Sequence, residues 1–168
     1  MFKRNMTSFV IVLSAQLFFS CIILTGCAEK KIAADLVSYV NYGILDISSL
    51  EAEALKKYAS VTGSSYTSDD AVYETLKNDV IPVYNKFLER LKSIRAQTDE
   101  VQQLHAIYVQ GAETMYKGFV AKKQALEKKD EPKLIYANGQ IEKGRAETER
   151  WRGKLLELCK DYGVKAGK

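Results

Sequence analysis

Three cysteines and a single histidine are the residues of this 168-residue chain best suited to covalent or coordination chemistry. A thiol can be alkylated, oxidised or metallated, and an imidazole can ligate a metal or move a proton near neutral pH. Spacing narrows those options. His105 has no Glu three residues before it to make a di-iron motif, and no Cys-x-x-Cys-His occurs. Met115 lies ten residues from His105 on one helical stretch. The two would stand about 15 Å apart along its axis and cannot clamp one metal ion. There is no phosphate loop, no nucleophile with histidine at triad spacing and no cluster of metal ligands. Paired carboxylates, Asp69 with Asp70 and Glu147 with Glu149, fit a helix start and a solvated helix face. The expectation is a protein that is not an enzyme, with no metal and no cofactor, in which His105 is a hydrogen-bonded core residue.

Ten tyrosines are the second chemical resource. Most recur near helical stripes, where a ring packs and its hydroxyl reaches water or a polar partner. A groove lined by them would suit a sugar, a peptide or an apolar ligand, and the candidate pocket is His105, Tyr108, Gly144 and Trp151. Small residues at Gly111, Ala112, Gly118, Ala137 and Gly144 either let two helices approach closely or leave a cavity beside Trp151. The pattern leaves both open.

The elements that must position these residues are helical. Two prolines, and Ala, Leu, Glu, Lys, Tyr and Val at helical spacing, argue for an all-α protein. A first helix over about 31–61 presents Leu36, Val40, Ile44, Ile47, Leu50, Ala54, Tyr58 and Val61 on one face. Gly63 suits a left-handed terminus, and Thr67 or Ser68 caps a second helix running to about Ala96. Pro82 falls inside that helix and predicts a kink, or a break after Asn78 with Asp79 as the new cap. Thr98 opens a third helix. Asp130 and Pro132 start a fourth, in which Leu134, Ala137, Ile141, Gly144, Thr148, Trp151, Leu155, Leu158 and Tyr162 alternate by three and four. Short turns favour an antiparallel up-down four-helix bundle, the alternative being a three-helix bundle with a kinked second helix. A bundle with an inward histidine invites comparison with b-type haem bundles, but the Met and His of that pattern come from different helices, and here they do not.

The N-terminus carries the most specific pattern. Lys3 and Arg4 precede about sixteen mostly apolar residues, Phe9 to Leu24, fewer than the ~20 a membrane span needs. The run closes in Leu24-Thr25-Gly26-Cys27, which resembles the lipobox of bacterial lipoproteins. The resemblance implies a signal peptide over 1–26, cleavage between Gly26 and Cys27, acyl chains on Cys27, and a lipid-anchored domain over 27–168. Two or three chains meet the requirement that stable anchoring needs more than one. Ala28 is not the aspartate linked to inner-membrane retention, so the family rule implies the periplasmic face of the outer membrane in a two-membrane host. Gly26-Cys27-Ala28 also fits an ordinary signal peptidase, which would release a soluble protein starting at Glu29. With Cys21 removed and Cys27 acylated, Cys159 has no partner and is expected as a small buried hydrophobe.

Charge excludes little more. The net +4 falls to +2 without Lys3 and Arg4, and the basic residues beyond 117 interleave with Glu142, Glu147, Glu149 and Glu157. That reads as a mixed solvated surface with no nucleic acid as partner. The expected role is an envelope interaction or accessory protein with a protein partner, the alternative being a ligand-binding or sensory bundle. The short tether, Ala28 to Lys31, places the domain against the membrane, with Lys30 and Lys31 in the headgroup zone.

Overall fold

The three-and-four spacing that runs through the chain is realised as helix. A computed structural model describes residues 26–165, and among them there are helices and turns but no strand. The expected signal peptide, apart from its last residue Gly26, lies outside the described residues.

Four helices succeed one another. The first, α1, is helical over 26–38, passes through a π turn at Tyr39–Ile44 and continues as Leu45–Ala59. The second, α2, joins Asp69–Thr75, a π turn Leu76–Val80 and Ile81–Ser93. The third and fourth are long: α3 spans Asp99–Lys128 and α4 spans Glu131–Asp161. Among the described residues no helix is long and apolar enough to cross a membrane.

The two π turns explain where the expected periodicity slips. In each, an amide reaches back five residues: Leu45 N–H donates to the Val40 carbonyl and Ile81 N–H to that of Leu76. Beyond the first, the buried row of α1 runs Ile44, Ile47, Ala54 and Tyr58, while Val40 and Leu50 are only half-buried. The second precedes Pro82. A proline ring collides with the carbonyl four residues back in a regular helix, and the wider turn gives it room. The chain therefore neither breaks after Asn78 nor uses Asp79 as a cap; Asp79 instead pairs with Lys57 of α1 at 3.6 Å.

Other punctuation follows local chemistry. Gly63 has φ +60°, Ser68 accepts from Ala71 N–H at 3.2 Å, and Asp130 accepts from Lys133 N–H at 3.0 Å, with Pro132 in the first turn of α4. The third helix opens after Thr98, as expected, but the groups at its start are satisfied from elsewhere. Thr98 makes no side-chain cap bond of its own. The buried carboxylate of Asp35, from α1, accepts from Gln97 N–H (2.9 Å), Thr98 N–H (2.7 Å) and the Thr98 hydroxyl (2.7 Å) through one oxygen. A negative charge at a helix N-terminus complements the helix dipole, and here it also ties two helices together.

The core joins all four helices. Leu36, Leu76, Tyr84, Phe87, Leu91, Val101 and Phe119 are sealed from solvent. Aromatic contacts run from Tyr58 to Phe119 to Tyr84 to Phe87 to Tyr108, with ring centroids 5.0 to 5.9 Å apart. Between α3 and α4 the spacing is set by small residues. A Cβ on Gly144 would stand 2.6 Å from Met115 N and 2.7 Å from the Gly111 carbonyl oxygen; one on Gly118 would stand 2.7 Å from Ile141 Cγ1. Gly144 thus opens no cavity, because the backbone of α3 occupies the space its missing side chain leaves.

Candidate functional site

Cys27 is exposed on the first turn of the described part of α1. Gly26 precedes it on the same helical run. Cys159 is buried near the end of α4, at 5% exposure, and burial pushes its thiol up from the ordinary value. A protonated, enclosed thiol is a poor nucleophile and packs as a small hydrophobe.

Of the four candidate pocket residues, the fold brings two into direct contact. Tyr108 and Trp151 stack with centroids 3.9 Å apart and planes 15° off parallel. The contact lies one turn before Gly111 on α3 and two turns after Gly144 on α4, along the same close approach of the two helices. His105, one turn before Tyr108, meets Tyr39 of α1 edge-on at 5.6 Å, and its Nδ1 shares a long hydrogen bond of 3.4 Å with the Tyr39 hydroxyl. Burial holds His105 below the usual histidine range, and the nearby Arg95 charge adds to this. Gly144 stands apart, its open side filled by Met115 and Gly111.

Two further residues belong to this cluster. Glu51 of α1 accepts from the Tyr108 hydroxyl through Oε2 at 2.6 Å, while its Oε1 is buried without a partner. Tyr84 of α2 is fully buried, and its hydroxyl is also unpartnered. Burial raises the titration of Glu51; the Tyr108 hydrogen bond and Arg152 oppose it. Burial, then the neighbouring Glu51 charge, hold Tyr84 and Tyr108 well above the ordinary tyrosine value. Trp151 Nε1 is a third orphan. It lies beside the Tyr39 hydroxyl, without hydrogen-bond geometry, and opposes slightly the upward push that burial exerts on Tyr39. Glu51 was legible in principle: it stands between Ile47 and Ala54 on the apolar row of α1, where a carboxylate is out of place.

Chemically the cluster is a buried acid held by phenols and flanked by a stacked indole. Among the described residues no group of three or more His, Cys, Asp or Glu is placed to hold a metal ion.

On the surface, beyond the glycine contact, α3 and α4 line a groove of about 610 Å³. Leu104, Ile107 and Leu158 line it, with Glu100, Arg150 and Lys154 among its charged residues. A smaller recess of about 330 Å³ involves Glu51, Met115, Arg145 and Arg152. No family model, no curated protein and no solved structure matches this chain.

Proposed function

We propose that the chain is a membrane-anchored lipoprotein of the bacterial cell envelope, held by acyl chains on Cys27 and acting without catalysis through contacts with a protein partner. The observation that carries the reading is Leu24-Thr25-Gly26-Cys27 at the end of an apolar run behind a basic start, followed directly by an all-helical domain. Its domain is an antiparallel up-down bundle. Support comes from paired contacts that descend one helix as they climb the next: Asp46 with Arg90 and Lys57 with Asp79 between α1 and α2, then Gly118 with Ile141 and Gly111 with Glu147 between α3 and α4. The long groove between α3 and α4, with apolar walls and mixed charge around it, suits a helical or extended segment of a partner protein. By the family's sorting rule, residence is at the periplasmic face of the outer membrane where the host has two membranes.

The experiment is metabolic labelling with palmitate in a bacterial host. Wild-type chain takes the label and Cys27→Ser does not. Label on neither, with the protein recovered in the soluble fraction, favours cleavage by an ordinary signal peptidase and refutes the anchor.

A second reading, a ligand-binding or sensory bundle, is favoured by the three buried polar atoms without partners, Glu51 Oε1, the Tyr84 hydroxyl and Trp151 Nε1. Buried polar groups are nearly always satisfied, so orphans at one level of the core mark a place for ordered water or a small polar ligand. Electron density bridging Glu51 and Tyr84 in a crystal supports it; a dry, closed cluster refutes it.

A further inference from the structure

We infer that the outer face of α1 is a membrane-docking surface, on which the anchored domain lies along an anionic bilayer instead of standing away from it. This rests on the lipid-anchor reading and adds the face, the orientation and the lipid charge. Cys27, Lys30, Ala34 and Val37 succeed one another by steps of three and four, and all four are exposed. A regular helix would continue this row at Asn41 alone. The π turn Tyr39–Ile44 holds an extra residue, so the row continues at Asn41 and Tyr42 and then at Leu45. Val37, Tyr42 and Leu45 are 41%, 81% and 59% exposed, an apolar row left outside the core on the side that carries the lipid-bearing cysteine. From Cys27 to Leu45 the row is about 27 Å long.

The charges beside the row choose the occupant. Lys30 lies in it and Lys31 adjoins it, whereas Glu29 is two positions from Cys27 and on the other side of the helix. Next to Tyr42 is a recess of about 310 Å³ that includes Arg90, Ser93 and Arg95 of the α2 end and its adjoining turn; Asp46, the one acid lining it, is paired with Arg90. Apolar residues in a row, a tyrosine that can keep its hydroxyl in the headgroups, and flanking Lys and Arg match the requirements of a helix lying in the interface of an anionic membrane. Attachment at Cys27 makes this second contact intramolecular, so a modest affinity suffices to hold the face down.

The test uses the lipidated full-length protein in vesicles of brominated phosphatidylglycerol and phosphatidylethanolamine, with tryptophan placed at position 42 (Tyr42→Trp) or, as a control at an exposed site on α4, by Tyr136→Trp. Bromine quenches only an indole in or next to the lipid, and the buried Trp151 supplies a common background. We expect quenching at position 42 to exceed that at 136 by about threefold, and Leu45→Glu to abolish the excess while palmitate label and helical circular dichroism are retained. Retained label with equal quenching at both positions overturns the docking face but not the anchor. Loss of label overturns the anchor. Cross-linking of position 42 to a second copy, without quenching, assigns the face to self-association and also overturns the proposal.

Discussion

Three glycines in one helix are predicted to respond in opposite directions to the same substitution. Gly139, Gly144 and Gly153 all lie within α4, where replacing glycine by alanine normally gains about 1 kcal/mol through helix propensity. Around Gly139 and Gly153 an added Cβ meets nothing within 4 Å, so the gain is realised. At Gly144 the Cβ would stand 2.6 Å from Met115 N, 2.7 Å from the Gly111 carbonyl oxygen and 2.7 Å from Met115 Cβ. Two of these neighbours are backbone atoms, so no rotamer change relieves the overlap and α3 itself must shift. Overpacking costs about 1–3 kcal/mol, and overlap with backbone puts Gly144 at the upper end of that range; set against the propensity gain it leaves Gly144→Ala less stable by roughly 2 kcal/mol. For a domain of this size that lowers Tm by roughly 4–8 °C, while Gly139→Ala and Gly153→Ala each raise it by roughly 2–4 °C. Thermal unfolding followed by far-ultraviolet circular dichroism reads all three. A Gly144→Ala protein as stable as the other two would refute the close approach of α3 and α4, along which Tyr108 stacks on Trp151.

Asp35→Ala removes the acceptor for two backbone amides and a hydroxyl at the start of α3, and should cost about 2–4 kcal/mol in urea unfolding, with Asp35→Asn in between. Lys129 holds a left-handed conformation (φ +54°) between α3 and α4, so Lys129→Gly should add about 0.5–1 kcal/mol in the same assay. His105 and Glu51 titrate with opposite consequences. The folded state holds His105 below its ordinary value and therefore binds fewer protons than the unfolded chain; its contribution is present above that value and is lost as pH falls through the folded one. Glu51 is held above its ordinary value, so it weakens the fold as pH rises through that value towards the folded one. Denaturation midpoints between pH 4.5 and pH 7.5 should show Glu51→Gln more stable than wild type at the upper end, and His105→Gln less sensitive to acid at the lower.

Helical class, the number of long helices and several of their ends were readable from the chain itself, because they depend on local chemistry. Periodicity of apolar residues, Ser68 and Asp130 as caps, the left-handed Gly63 and the tolerance of α4 for Pro132 involve residues within a turn of one another. Pro82 shows where that reasoning stops. A local rule foresaw a disturbance, but its form, a π turn at Leu76–Val80 instead of a break, depends on keeping Leu76, Val80 and Tyr84 all in the core. Asp35 could not be assigned to the start of α3 from spacing, since the two meet only after α1 and α3 pack side by side. Glu51 stands on the apolar row of α1, a local sign that a carboxylate is out of place, but the residues that enclose it, Tyr108 and Tyr84, come from α3 and α2 and are set only by packing. The small residues at Gly111, Gly118 and Gly144 were evident, yet whether they make a contact or a cavity depends on where the opposite backbone lies, and only the tertiary structure places it 2.6 Å from a Cβ on Gly144.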